Sequence, residues 1–186
     1  MTRKIEVVPY DPGWPEVYRK EMDLISGGLG LNMAAAHHIG STAVPGLAAK
    51  ATIDILLVMR DLEALDASNA FMIALGYQPK GENGIAGRRY FNKVAGDEHL
   101  FHIHAFGEGH PDIKKHLDFR EYLIAHPSVA REYQSLKKEL AARFKDEPSK
   151  YTKGKADFIS TVIMRAGTWR EKIEQADEVY GCIEST

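Results

Sequence analysis

The chain has 186 residues, of which 44% are hydrophobic and 27% are charged, and its 24 basic residues nearly balance its 26 acidic ones. This composition predicts a globular protein with one full hydrophobic core, and the net charge of −2 argues against an extended nucleic-acid-binding surface. The single cysteine excludes a disulfide within the chain and a cysteine-based zinc cluster. Because no apolar run is long enough to span a membrane and the N-terminus lacks a signal-peptide pattern, we expect a cytoplasmic location.

The first part of the chain alternates patterns that are typical of strands and helices. Apolar spacing and turn residues predict, in order, an extended segment over residues 5–9, a helix over about 14–25, a strand over 33–39, a buried strand over 53–59 and a helix over about 61–75. Asp61 is suited to cap the last of these helices and Gly76 to end it.

The rest of the chain begins with strands and ends with helices. A short extended piece over residues 77–79 and a glycine-rich loop lead to two antiparallel strands over 88–93 and 99–106. Helices are predicted from residue 111, from residue 127 and from about residue 149. We therefore predict an α+β fold, with one domain over residues 1–166 and a helical or frayed acidic tail over residues 167–186.

Asp54 is the first residue that the sequence marks as functional. It interrupts a strand that is otherwise apolar, and it follows a Gly40-Ser41 break and a loop that ends at Lys50. A carboxylate inside a buried strand is costly unless another group pairs with it or a ligand binds it. We therefore expect Asp54 to face a functional cleft.

The spacing of these residues resembles the signature of the nucleotidyltransferase superfamily, in which Gly-Gly or Gly-Ser precedes two acidic residues one apart. More narrowly, the chain is similar to the GrpB family over roughly residues 5–166. The segments that carry this resemblance are VPYDPGW at 8–14, the segment 38–59, GRRYF at 87–91, HIHAF at 102–106, FREYL at 119–123, HP at 126–127, LK at 136–137 and YTKGKADFI at 151–159. The resemblance implies a nucleotidyltransferase-like mixed β-sheet with flanking helices and a helical C-terminal segment.

The resemblance also implies a site for a nucleotide or another phosphorylated small molecule. The backbone amides and the hydroxyl at Gly40 and Ser41 would cradle its phosphates, and Lys50 would pair with them. Nucleotidyl transfer uses two carboxylates on one strand face to bind Mg²⁺ or Mn²⁺, so the second acid belongs at position 56. That residue is Leu56, so the sequence departs from a standard two-metal arrangement.

Two histidines offer a replacement for the missing acid. His102 and His104 are two residues apart on a predicted strand and therefore face the same way. If that strand lies beside the Asp54 strand, the three side chains converge as catalytic residues and as ligands of a divalent cation, and imidazoles favour a transition metal over Mg²⁺. The alternative is a pair of hydrogen-bonded histidines that border the cleft.

Further basic residues are candidates for contact with phosphate. Arg88 and Arg89 alternate across a strand, so only one can face the cleft; an arginine on an edge strand can also serve only to prevent aggregation. His38 would flank the pocket, with ordinary packing as the alternative. Three more residues would line a pocket wall or, as the favoured interpretation, form ion pairs on helix surfaces: Arg120, Lys153 and Lys155.

These residues support two functional hypotheses. The first is a nucleotidyltransferase-like protein that binds a nucleotide or phosphorylated small molecule with a divalent cation and transfers a nucleotidyl group. The second is a catalytically inactive binding or regulatory module on the same fold, linked to coenzyme A metabolism by the resemblance to domains fused to a dephospho-coenzyme A kinase. Leu56 separates the two, because a transferase needs another metal ligand near Asp54.

Overall fold

The computed structural model describes residues 4–181, of which 177–181 are described by their backbone alone, and they form the predicted α+β fold. The elements are, in chain order, α1 (Trp14–Leu29), β1 (Met33–Ile39), β2 (Ile53–Met59), α2 (Leu62–Ala67), α3 (Asn69–Ala74), β3 (Tyr77–Pro79), β4 (Arg88–Ala95), β5 (Glu98–Gly107), α4 (Pro111–Ala125), α5 (Pro127–Arg143), α6 (Pro148–Gly154) and α7 (Ala156–Gly181).

The five strands form one mixed sheet in the order β1-β2-β5-β4-β3. Strands β2 and β5 run parallel, whereas the other neighbouring pairs are antiparallel. The register pairs Asp54 with His102 and Leu56 with His104. The strand of the two histidines therefore does lie beside the strand of Asp54, which is the condition that the sequence left open.

One face of the sheet forms the main hydrophobic core. Helices α1, α2 and α3 cover it, and burial of each large aliphatic side chain there stabilises the fold by about 1.5–3 kcal/mol. Alternate residues of a strand share a face. The buried residues that β2 and β5 contribute to this core are Ile53, Ile55, Leu57, Met59, Phe101, Ile103 and Ala105.

Helix α4 covers only part of the opposite face, where α5 and α7 pack against it. Leu56 lies on this face in an apolar cluster with residues of β1, β5, α4 and the loop before β4: Ile39, Phe106, Ile113, Leu117 and Ile85. Asp54 is on the same face two residues earlier, and there the sheet borders a cavity. One part of this face is therefore packed against α4, and another part lines an open cavity.

Several boundaries differ from the predicted ones. The segment over residues 5–9 makes a single bridge, between Val8 and Ala49, instead of a strand. The helix predicted over 61–75 is two helices, because Ser68 leaves the helical conformation with ψ at 7°. Helix α7 runs without a break past residue 166, so no helix end marks the predicted domain boundary, which stays a prediction.

The end of the predicted tail, including Cys182, lies outside the described residues. None of the helices that the structure describes has both the length and the apolar composition needed to cross a bilayer.

Candidate functional site

A cavity of about 640 Å³ lies between the sheet and the C-terminal helices. Its volume is within the range of small-molecule sites in proteins. Side chains of β2 and β5, the loop after β1 and helices α4 to α7 all contribute to its lining. Six of the residues predicted from sequence line it: Gly40, Ser41, Lys50, Asp54, His102 and His104.

Asp54 is linked to two histidines in a chain of hydrogen bonds. Its Oδ1 lies 3.2 Å from Nδ1 of His102, and Nε2 of His102 lies 2.8 Å from Nδ1 of His99. Because a carboxylate only accepts, Nδ1 of His102 donates to Asp54, and Nε2 then accepts from His99. Burial acts to raise the pKa of Asp54, but the hydrogen bond from His102, together with the charge of Lys50, holds it below its usual value. Asp54 is therefore an anion, with 29% of its side chain exposed.

Gly40 brings the turn after β1 against this carboxylate. Its φ is 71°, a conformation that residues with a Cβ rarely adopt. A Cβ at residue 40 would also collide with Oδ2 of Asp54. Only glycine meets both requirements, so the Gly40-Ser41 break is a structural condition of the site.

Helix α5 holds the loop after β1 through three side chains. Nζ of Lys137 lies 2.9 Å from Oγ of Ser41 and donates to the carbonyl of Ala48 at 2.5 Å. Tyr133 is also hydrogen-bonded to Ser41. The side chain of Gln134 accepts from the amide of Ala48 at 2.8 Å. Helix α5 therefore fixes both the N–H and the carbonyl of Ala48, and it also contacts the side chain of Ser41.

A buried lysine, Lys137, lines the cavity from α5, and a half-buried one, Lys155, lines it from the end of α6. Lys137 is only 2% exposed, and burial, with the nearby charge of Lys155, lowers its pKa to about 7. Burial also lowers the pKa of Lys155, against the opposing effect of Asp54. Neither lysine forms a salt bridge with any carboxylate of the described residues. Nζ of Lys155 lies 4.4 Å from the ring centroid of Tyr151, and Nζ of Lys50 lies 5.3 Å from it.

His104 lies beside His116 in the lining of the cavity. Burial lowers its pKa to about 3, and burial also lowers the pKa of His116, whose ring centroid is 5.0 Å away. Both imidazoles are thus neutral near pH 7. Arg88 lies on the same face, with Nη1 3.4 Å from Nδ1 of His104, but it donates to the carbonyls of Glu82 and Asn83. Arg88 therefore anchors the glycine-rich loop and does not line the cavity.

Besides that of Arg88, three sequence-based interpretations need correction. Arg89 does not reach the cavity, because it alternates to the other face and binds Asp66 through Nε at 2.8 and 2.9 Å. His38 is on that face as well, stacked on Tyr18 with ring centroids 5.0 Å apart. In contrast, Lys155 lines the cavity instead of forming the favoured surface ion pair.

Sequence reasoning missed most of the helical wall of the cavity. The residues not singled out are Tyr133, Lys137, Tyr151 and His116. Their only signal was indirect: Lys137 and Tyr151 fall within segments that carry the GrpB resemblance. Nothing in the spacing of residues on α5 and α6 indicated which side chains would point at Asp54.

The predicted metal ligands do not form a standard two-metal set. Leu56, at the position of the second acid, is fully buried among apolar side chains. Among residues 4–176, whose side chains are described, no three His, Cys, Asp or Glu residues are arranged to hold an ion. Asp54 fits a cation in one way, as the single carboxylate beside phosphate oxygens that a ligand brings. The assignment of Asp54, His102 and His104 as metal ligands stays a prediction.

The mixed sheet and the lysine-lined cavity define an α+β protein with a site of small-molecule size. A sequence profile described as GrpB protein matches residues 4–165, and the chain belongs to the GrpB family. UPF0157 protein YqkA of Bacillus subtilis is 43% identical over 183 residues, which are 98% of this chain and 53% of that protein. The chain thus spans about half the length of this relative.

Structural comparison agrees with that family. The crystal structure of GrpB from Enterococcus faecalis matches with a TM-score of 0.83 and 36% identity, over 87% of this chain and 96% of that one. A more distant structural match is a chain of the Cid1 poly(U) polymerase, at a TM-score of 0.44 and 11% identity over 70% of this chain and 45% of that one. In sequence, a dephospho-CoA kinase of Mycolicibacterium paratuberculosis is 26% identical over 90% of this chain and 47% of that protein.

Proposed function

We propose that the cavity binds a nucleotide or another phosphorylated small molecule. The observation that carries this proposal is Lys155, which is half-buried and faces the cavity beside the buried Lys137 without a salt-bridge partner among the described side chains. An ammonium group loses hydration on burial, and this cost needs a compensating charge. An anionic ligand would supply that charge, and Lys50 lines the same cavity.

The rest of the lining suits a phosphate attached to an organic group. The hydroxyl of Ser41 and the backbone at Gly40 supply polar contacts of the kind that phosphates use. Apolar and aromatic side chains complete the lining and would contact the organic part: Ile85, Tyr90, Phe119, Ile159 and Ile163. A nucleotide has both parts, and so has a coenzyme A precursor.

We also propose that a divalent cation accompanies the ligand, with Asp54 as its protein contact. Mg²⁺ sites commonly combine one or two carboxylates with substrate phosphates. The cation would neutralise phosphate charge, while His102 keeps the carboxylate oriented through its hydrogen bond. Nucleotidyl transfer to an acceptor is the activity that such a site would support.

A second candidate function is binding without transfer. The burial of Leu56 favours it, because the apolar cluster leaves no room for a second acid on the Asp54 strand. Coenzyme A precursors are suitable ligands to test, since a dephospho-CoA kinase is among the relatives. Turnover of radiolabelled nucleotide distinguishes the two functions.

The test is a thermal-shift panel of nucleoside triphosphates, dephospho-coenzyme A and coenzyme A, each with and without Mg²⁺ or Mn²⁺. A ligand at ~100 times its Kd stabilises the folded state by ~2.7 kcal/mol. For a chain of this length that raises Tm by ~5–10 °C. Lys155→Met should reduce the shift at a fixed ligand concentration, whereas Lys153→Met, at an exposed position two residues away, should not.

Titration calorimetry with Asp54→Asn then tests the cation: the gain in affinity that Mg²⁺ gives the parent protein should disappear in the variant. The proposal fails if no compound in the panel shifts Tm, or if Lys155→Met binds as tightly as the parent protein.

A further inference from the structure

Lys137 and Ser41 form a contact that phosphate binding alone does not explain. Nζ of Lys137 lies 2.9 Å from Oγ of Ser41, and the serine lines the cavity while the lysine is 2% exposed. A lysine that only attracts phosphate would extend its ammonium group into the cavity. Here Nζ instead lies between a hydroxyl and the carbonyl of Ala48.

The surroundings of Lys137 favour its neutral amine. No carboxylate of the described residues forms a salt bridge with it, and the groups around its Nζ are Ser41, Ala48, Lys155 and the ring of Tyr133, 4.7 Å from Nζ. Burial and the charge of Lys155 lower its pKa to about 7. A neutral amine donates one N–H to the carbonyl of Ala48 and keeps a lone pair for the proton of the serine.

We propose that Ser41 is a catalytic nucleophile, that Lys137 is the base that removes its proton, and that Ser41 transiently carries a phosphoryl or nucleotidyl group. This inference rests on the proposed function for its natural electrophile, a phosphoanhydride. A hydroxyl needs an adjacent base to act as a nucleophile, and a lysine whose pKa is lowered by burial is a suitable one. Tyr133, hydrogen-bonded to the same hydroxyl, is a positioning residue.

Formation of the adduct needs only the phosphoanhydride, and its breakdown needs an acceptor hydroxyl. Oγ of Ser41 forms a bond to phosphorus as the bond from phosphorus to the leaving phosphate oxygen breaks. The hydroxyl proton passes to Nζ of Lys137, and the leaving phosphate departs as an anion with the bonding electron pair. Attack by an acceptor hydroxyl on the phosphorus then restores Ser41, which takes back the proton from Lys137, while the acceptor proton passes to water.

The experiment labels the full chain with a fluorophosphonate, which transfers its phosphorus group to an activated serine and releases fluoride. Intact mass and peptide mapping should find one adduct, on Ser41, and none in Ser41→Ala. Lys137→Met should lower the labelling rate at least ~100-fold, as expected on loss of a general base. Lys138→Met, the exposed neighbour on α5, should leave the rate unchanged.

Lys137→Arg separates a base from a structural anchor. Arginine keeps the charge and can donate hydrogen bonds, but it does not accept a proton at neutral pH. Labelling should therefore be lost in Lys137→Arg as well, and circular dichroism melts verify that each variant is folded. If Lys137→Met fails to fold, the arginine variant and Ser41→Ala carry the test.

No adduct on Ser41, or equal rates in the parent and Lys137→Arg, would overturn the inference. The nucleotide thermal shift, measured on the same preparations, separates it from the proposed function. A Tm shift without an adduct retains ligand binding and rejects the nucleophile. An adduct without a Tm shift retains the nucleophile and rejects the nucleotide as its ligand.

Discussion

The two faces of the sheet are built from alternate residues of the same strands, yet only one of them is fully packed. On the face under α1, α2 and α3, every inward residue of β2 is apolar and buried. On the other face, α4 buries Leu56 but not Asp54, whose side chain remains 29% exposed. The first face stabilises the fold. On the second face, β2 contributes Leu56 to packing and Asp54 to the site.

This difference locates the boundary between core and cavity within two residues. Leu56 belongs to the apolar cluster under α4, and Asp54 belongs to the hydrogen-bonded chain with His102. The missing second acid is therefore a packing feature, because position 56 is where α4 contacts the sheet. Mutations on either side of this boundary should affect different properties.

The largest expected effect is that of Leu56→Asp, which places a carboxylate in the packed part of this face. The new carboxylate would be buried among apolar side chains without a partner, which costs ~3–5 kcal/mol of unfolding free energy. Urea denaturation measures this cost, and Leu56→Met, which conserves volume, should lose less than ~1.5 kcal/mol. A stable Leu56→Asp protein with new Mg²⁺ affinity would contradict the assignment of position 56 to the core.

Acidification should lower the free energy of unfolding, because a histidine on each face of the sheet binds a proton less readily in the folded protein than in the unfolded chain. Burial lowers the pKa of His104 to about 3 on the cavity face and that of His38 to about 4 on the packed face. The unfolded chain, with histidine pKa values near ~6.5, binds more protons below that pH, so stability falls as pH drops from 6.5 to 4. We expect a loss of the order of 2–4 kcal/mol between these limits.

Urea denaturation at several pH values measures that slope. His104→Gln and His38→Gln should each reduce it, because each removes one histidine whose pKa is lowered by burial. A slope equal to that of the parent protein in both variants would show that other groups, such as His116 and His37, whose pKa values are also lowered by burial, dominate the acid response.

The elements that the sequence predicted well are those whose signal is local. The apolar run of β2, interrupted only by Asp54, and the glycine-serine break located Asp54, Gly40 and Ser41, and the two-residue spacing of the β5 histidines gave their shared face. Lys137 reaches the site only because α5 docks there, and no periodicity within α5 encodes that docking. Likewise, no glycine or proline indicates the break between α2 and α3 at Ser68.

Lys137→Met should stabilise the protein, the opposite of what a core substitution does. Between pH 7 and 10.5 the unfolded chain binds the proton that the folded lysine has lost, so the parent protein gains stability as pH rises through that window. The cost of the buried amine is therefore greatest at pH 7 and below. We expect a net gain of ~1–2 kcal/mol at pH 7 after the lost hydrogen bonds are subtracted.

Urea denaturation at pH 7 and pH 10 checks this sign, since the gain should fade at the higher pH. Lys138→Met is the control and should stay within ~0.5 kcal/mol of the parent protein at both pH values. A destabilised Lys137→Met protein would mean that the amine serves mainly to hold the loop.

The smallest expected effect is on the packed face, at the ion pair of Arg89 and Asp66. Arg89→Gln should cost only ~0.2–1 kcal/mol and should leave any nucleotide-induced shift of Tm unchanged. Arg88→Gln is the matched comparison, because it removes the donors to Glu82 and Asn83 and should loosen the loop beside the site. Loss of ligand binding in Arg89→Gln would mean that this face takes part in the site after all.

The attachment of Ala48 to α5 has a consequence for the order in which the site is made. Its amide and carbonyl are held by Gln134 and Lys137, which lie 86 and 89 residues later in the chain. During synthesis, all five strands leave the ribosome before these two side chains do. A nascent chain arrested after β5 should therefore show sheet-like protection from hydrogen exchange while residue 48 still exchanges freely, and the pocket would be completed last.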